Sequence, residues 1–326
     1  MVIRNLFAER FGENDYRDER VIDYVYPKKV LLSEFAEEPQ ILLSPDSAQA
    51  TLERGNTCIL KKGGFILLDF GFEMQGGIQI VTNIWEHNGN NTARVRIRFG
   101  ESAMECMADA APDLRGKKNA TNDHAVRDDI HLLSWLGMTE IGNTGFRFVR
   151  IDLLDDIELP IKCVRAKFQY RDLDYLGTFE CDDERLNDIW KTAAYTVQLN
   201  MQEYVWDGVK RDRLVWIGDM HPETSTVQYI FGDCDCVRES LDLIRDNTPL
   251  PNVMNGIPAY SLWWLLIHHD RFIHYGDLEY LKEQHAYITE LLHYFSGFIT
   301  ADGGIAIENC FLDWPSSTNP EGQRAG

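Results

Sequence analysis

Apolar residues in this chain change period once, and that change limits the fold more than any single motif does. Up to about residue 175 the apolar runs are short: Phe65–Phe70, Gly77–Trp85, Ala93–Phe99 and Phe146–Leu154. The third and fourth of these alternate with polar residues at a period of two, the signature of a pleated strand with one buried face. Gly63-Gly64, Gly76-Gly77 and Asn88-Gly-Asn-Asn91 lie between the runs and are expected to be turns. From about residue 183 the spacing becomes helical. Leu186, Ile189, Trp190, Ala193 and Val197 form one stripe, Tyr260, Trp263, Trp264 and Ile267 a second, and Ile288, Leu291, Leu292 and Phe295 a third. Pro222 and Pro258 are each placed to open a helix, with Asp219 and Asn255 upstream of them. Five helices are expected, at 183–201, 222–231, 235–246, 258–274 and 277–299. The polar stretch from Ala110 to Asp129 is expected to be a long loop.

The fold class that follows is β plus α. An antiparallel, jelly-roll-like β-sandwich over residues 1–175 is followed by helices over 176–326. An odd number of helices leaves an apolar face without a partner.

Charge narrows the choice of partners. Asp and Glu total 52 against 32 Lys and Arg, a net charge of -20, which repels phosphate backbones and anionic lipid surfaces. Nucleic acid and membranes are therefore not expected as partners, and no run is long and apolar enough for a membrane span. The amino terminus lacks the continuous apolar stretch of a secretion signal. The 7 cysteines are an odd, scattered set, expected as free thiols of a cytoplasmic protein.

The densest chemistry lies in Trp206–Asp219, where three carboxylates, two tryptophans and three cations occupy fourteen residues. On one helix Asp207, Asp212 and Asp219 would not share a face, because their spacings are five and seven. A loop converging on a ligand suits them better. Carboxylates accept hydrogen bonds from hydroxyls and an indole stacks on the apolar face of a pyranose, so the combination points to a sugar. One carboxyl kept protonated could act as a general acid at a glycosidic oxygen, which is a poor leaving group as an alkoxide. The alternative is a structural ion-pair network in which Arg211 and Arg213 merely neutralise the acids.

Other clusters offer less. Cys234-Asp-Cys236 with His221 lacks zinc-motif spacing, and His268-His269-Asp270 are consecutive residues pointing different ways. Trp263 and Trp264 follow a core-like period and are expected to pack. There is no phosphate-binding glycine loop and no nucleophile elbow. No metal and no cofactor are expected.

With these residues in view, the chain resembles bacterial α-L-rhamnosidases of glycoside hydrolase family 78. The resemblance rests on the pattern Asp-x4-acid-x6-Asp with a basic residue before the acid and a Trp four residues after it. Asp207, Arg211, Asp212, Trp216 and Asp219 meet it. Leu68–Gly77, Arg98–Ser102, Thr144–Arg150 and Phe311–Pro315 extend it. The resemblance implies a β-sandwich joined to an (α/α)6 barrel and inverting hydrolysis of terminal α-L-rhamnosides. It also implies Asp212 as general acid, with Asp207, Arg211, Trp216, Asp219, Asp313 and Trp314 lining the sugar pocket. Relatives often carry Glu where this chain has Asp212. An inverting enzyme also needs a second carboxylate, roughly 6.5–9.5 Å from the acid, to activate water. The resemblance puts that base in the later part of the barrel. The chain is thus expected to be a carboxy-terminally truncated piece with an incomplete barrel, unless Glu223 or Asp313 supplies the base. Two other functions stay open: a sugar-binding module without catalysis, and an (α/α)6 glycosidase of different specificity.

Overall fold

The computed structural model describes residues 18–53, 55–85, 91–108 and 127–307. Seven strands form one sheet: β1 (Val21–Val25), β2 (Lys29–Glu37), β3 (Cys58–Thr82), β4 (Thr92–Gly100), β5 (Arg127–Ser134), β6 (Gly137–Leu153) and β7 (Leu159–Tyr170), in the order β1-β7-β3-β6-β4-β5 with β2 also on β3. Antiparallel ladders join β1 to β7, β2 to β3, β3 to β6, and β4 to both β5 and β6. The inward residues of β4, Ala93, Val95, Ile97 and Phe99, are buried in one apolar core with Ile66, Leu68, Phe70, Phe146, Val149 and Ile151.

One sequence expectation fails here. Gly63-Gly64 and Gly76-Gly77 are not turns between separate strands but lie inside the single 25-residue strand β3, which ends at Thr82 rather than Trp85. The register with β6 shifts between Asp69 and Met74 and again between Gly76 and Ile78. A Cβ on Gly76 would stand 1.9 Å from the Lys167 carbonyl oxygen, and one on Gly77 would stand 2.3 Å from that of Gly142. Glycine is thus required because neighbouring backbone closes on the bulge from β7 and from β6. The loop expected over Ala110–Asp129 falls outside the described residues up to 126, and Arg127–Asp129 open β5. Asn88–Asn90 of the expected turn lie outside them too.

After the sheet come a short helix already passed on the way, α1 (Ala103–Met107), and then α2 (Glu184–Asn200), α3 (Ile217–Ile230), α4 (Asp235–Asp246), α5 (Pro258–Tyr275) and α6 (Leu278–Ser296). Pro258 occupies the first turn of α5, as expected, and Gly276 ends that helix at φ 68. Asp183 and Asp277 cap α2 and α6 by accepting from Arg185 N–H and Tyr280 N–H. Trp264 is fully buried at the centre of this helical core, and its indole N–H donates to the Leu241 carbonyl at 3.2 Å. Truncating so enclosed an aromatic to Ala costs about 3–5 kcal/mol.

Two further expectations are corrected. Helix α3 starts at Ile217, five residues before Pro222, which sits inside it. The first stripe of α2 is only partly inward: Leu186 and Ile189 are about half exposed, while Asn187 and Ala194 are buried. Exposed apolar residues recur on α5 and α6, at Leu266, Ile273 and Leu292.

The sheet and the helices meet over a packed junction. Leu199 and Val209, both from the helical half of the sequence, are buried in the sheet's core. The Tyr195 hydroxyl donates to the Glu73 carbonyl oxygen, and Arg171 Nε donates to the Gln202 carbonyl at 2.9 Å.

Candidate functional site

The link between α2 and α3 carries the acid-rich segment, and its shape follows from a few fixed points. At its base Asp207 N–H donates to the Leu214 carbonyl at 3.1 Å, and Leu214 N–H donates to Asp207 Oδ1 at 2.9 Å. Residues 208–213 loop out between these points, turning through Asp212 at φ 49 and Arg213 at φ 57. Non-glycine residues in that region cost on the order of 1–3 kcal/mol each, so surrounding contacts must hold them. On the far side Asn255, itself at φ 53, accepts from Ile217 N–H at 3.1 Å and donates to the Val215 carbonyl at 3.0 Å. A side chain from a distant turn therefore fixes where α3 begins. Asp219 falls in the first turn of α3, where the helix dipole favours a carboxylate. Glu223, four residues on, shares its face.

Electrostatically these acids form one group. Burial, followed by the charges of Asp212 and Asp219, pushes the Asp207 carboxyl up to about 6, although the Leu214 N–H works against the rise. Burial, followed by the charges of Asp219 and Asp207, pushes Glu223 up to about 9. A neutralising ion-pair network would lower carboxyl pKa values, so the raised ones speak against that reading for these two residues. Of the two arginines, Arg211 Nε lies 3.6 Å from Asp212 Oδ1 with half of its side chain exposed, and Arg213 donates to the Asn143 carbonyl of β6.

Two buried polar atoms at the site lack a hydrogen-bond partner, Trp216 Nε1 and Glu223 Oε2. Buried polar groups are nearly always satisfied, and an orphaned donor and acceptor on one small segment suit a polar ligand. Trp216 meets Tyr260 edge to face with ring centroids 6.2 Å apart. Gly218 makes room for that ring, since a Cβ there would lie 2.3 Å from it.

Asp207, Asp212, Trp216 and Asp219 thus lie on one loop and the helix turn it enters, with Arg211 beside Asp212. Asp313 and Trp314 lie outside the described residues. Sequence reasoning weighed Glu223 only as a substitute base and missed Asn255 and Tyr260. The i, i+4 spacing of Asp219 and Glu223 was an available signal, hidden by the expectation that Pro222 opens the helix.

Other expected clusters resolve differently. Asp270 lies between two histidines, 3.3 Å from His221 Nε2 and 2.9 Å from His269 Nδ1, so His269 and Asp270 do meet despite being consecutive. His221 also packs on Trp263, which is partly exposed rather than core. The Cys234 and Cys236 sulfurs lie 3.2 Å apart. Among the described residues no cluster of three or more His, Cys, Asp or Glu is arranged to hold a metal, and no helix is long and apolar enough to cross a membrane.

A mainly antiparallel sheet is followed by a set of helices, with an acid-rich loop leading into the second of the long ones. Residues 174–325 match the model of the bacterial α-L-rhamnosidase six-hairpin glycosidase domain. A curated α-L-rhamnosidase from Formosa agariphila is 21% identical over 207 residues, 54% of this chain and 21% of that protein. The rhamnosidase from Klebsiella oxytoca with rhamnose bound superposes with a TM-score of 0.71 at 18% identity, covering 92% of this chain and 62% of that one. The family 78 rhamnosidase of Bacillus sp. GL1 gives 0.65 at 18% identity over 85% and 28%. The α-L-rhamnosidase of Streptomyces avermitilis complexed with L-rhamnose gives 0.57 at 18% identity over 86% and 25%. The chain thus has the fold of these rhamnosidases, an antiparallel sheet plus helices, and its residues 174–325 resemble their six-hairpin domain. It spans about a fifth of the curated relative and 62% of the Klebsiella structure.

Proposed function

We propose that this chain belongs to a glycoside hydrolase that cleaves terminal α-L-rhamnose from glycosides by an inverting acid/base reaction. One observation carries the reading: on one loop and helix N-terminus Asp207 feels the charges of Asp212 and Asp219, Glu223 feels those of Asp219 and Asp207, and Asp207 and Glu223 are pushed up to about 6 and about 9. Asp212, exposed in the loop, donates the proton to the leaving oxygen. Asp207 and Asp219 accept hydrogen bonds from sugar hydroxyls, Arg211 orients Asp212, and Trp216 packs on the C6 methyl or ring face of the deoxy sugar. Water activation requires a second carboxylate on the opposite sugar face, proposed to come from a part of the whole protein that this chain does not include.

Domain limits belong to the same reading: a β-sandwich over 1–175 and part of an (α/α)6 barrel over 176–326, in a cytoplasmic enzyme. Separate apolar cores in the sheet and in the helices support the division. The exposed Leu186, Ile189, Leu266, Ile273 and Leu292 support further helices packing on this bundle.

The raised pKa of Asp207 favours a second reading in which Asp207, not Asp212, is the acid. Assay of the full-length enzyme on an aryl α-L-rhamnoside with a poor leaving group separates the two. Asp212→Asn is expected to lower kcat by about 10²–10⁴, with most of the loss recovered on a dinitrophenyl rhamnoside that needs no proton. Normal turnover by Asp212→Asn, with Asp207→Asn showing that leaving-group pattern instead, would transfer the role to Asp207. No turnover of any rhamnoside by the unaltered enzyme would refute the function.

A further inference from the structure

The candidate acid loop is not held by the helical bundle alone. Lys210 lies between Asp207 and Asp212 in sequence, yet its side chain turns away from them into the sheet and is only 3% exposed. Its Nζ donates to the Phe99 carbonyl at the end of β4, at 3.3 Å, and pairs with Glu105 on α1. Glu101, just past the end of β4, and Glu73 of β3 also feel its charge. Beside it, Val209 is buried in the sheet core, and its carbonyl accepts from Gly145 N–H of β6 at 2.9 Å. Gly145 has no room for a Cβ, which would lie 2.4 Å from Val209 Cγ2. Arg213 closes the far side on the Asn143 carbonyl. Val209, Lys210 and Arg213 are thus anchored in the other half of the molecule, and Asp212, between Lys210 and Arg213, adopts positive φ, as does Arg213.

We propose that Lys210 and Glu105 are a positioning pair through which the sheet sets the aim of Asp212. This inference rests on the assignment of Asp212 as acid. A lysine ammonium buried in a cleft of carbonyl and carboxylate oxygens has one low-energy location, so it pins the backbone two residues before Asp212. If the pair is lost, the two positive-φ residues relax toward ordinary conformations and the carboxyl swings away from the leaving oxygen.

The test uses the full-length enzyme with Glu105→Gln and Lys210→Met, each assayed on two rhamnosides, one with a poor phenolic leaving group and one with a dinitrophenyl group. A misaimed acid lowers kcat on the poor leaving group by roughly 10- to 100-fold and leaves the dinitrophenyl rate within about twofold, with KM little changed. Equal losses on both substrates, or no loss on either, would overturn the proposal. Glu105 is partly exposed, so Glu105→Gln remains informative should Lys210→Met fail to fold. If the unaltered enzyme cleaves no rhamnoside, the function has failed independently. The pinning is then read from amide hydrogen exchange across 208–213: faster exchange in Glu105→Gln supports it, and unchanged exchange overturns it.

Discussion

Glu223→Gln should stabilise the protein in alkaline solution and do almost nothing in acid. The carboxyl is held up to about 9 from an ordinary 4.5, mainly by burial and then by the charges of Asp219 and Asp207. At about 1.4 kcal/mol per decade of acidity, an ionised Glu223 costs at most about 6 kcal/mol. The residue as a whole is only partly covered, although Oε2 is enclosed, so about half of that, roughly 3 kcal/mol, is the realistic figure. The sign follows from proton counts. Between pH 4.5 and about 9 the folded state keeps a proton that the unfolded state has released, so stability falls as pH rises through that window. Glutamine reproduces the neutral acid in shape and cannot ionise. At about 2 °C per kcal/mol for a chain of this size, the variant should melt about 6 °C above the unaltered protein at pH 9 and within about 1 °C of it at pH 4.5. Scanning calorimetry at half-unit pH steps measures the gap. A gap that is constant across pH, or a wild type that is the more stable at pH 9, would refute the burial argument.

Three further outcomes can be checked by melting or binding. Gly218→Ala forces a Cβ into the Tyr260 ring and should cost about 1–3 kcal/mol while weakening binding of L-rhamnose in calorimetry, since Tyr260 braces Trp216. Asn255→Ala removes the bond to Ile217 N–H and the one to the Val215 carbonyl and should cost about 1–2 kcal/mol. Asn255→Gly, which tolerates φ 53, should cost less, and equal losses would show that the backbone conformation plays no part. Phe or Leu at Trp264 should lose the bond to the Leu241 carbonyl and destabilise by about 1–3 kcal/mol, read from the urea midpoint.

The sequence carried some features of this structure in short windows and hid others in long-range contacts. The strand character of Ala93–Phe99 and the start of α5 at Pro258 are local facts: alternation in one case, a fixed φ and a missing N–H in the other. Likewise the spacing of Asp207, Asp212 and Asp219 was enough to reject a single helix. The start of α3 was not legible, because its cap comes from Asn255, 38 residues downstream. Gly76 and Gly77 read as a turn since the backbones that crowd them belong to strands more than sixty residues on. In the sequence Lys210 is simply one of three cations in an acid-rich segment, and only its contacts with Phe99 and Glu105 reveal a buried anchor. Leu186 and Ile189 kept a helical period yet remain half exposed, because periodicity says that a face is apolar and not what covers it.

The path of Val209 through the sheet's core has a practical corollary for anyone who would recombine relatives of this protein. The stretch matched as a helical domain begins at residue 174, so a graft cut at that point would carry the acidic loop into a host whose sheet was shaped for a different loop. Residues 99, 105, 143 and 145, all on the discarded side of the cut, form the floor on which 209–213 rest. The heritable unit of the site is therefore discontinuous in sequence, and a working chimera would have to inherit the end of β4, α1 and the middle of β6 together with the helices.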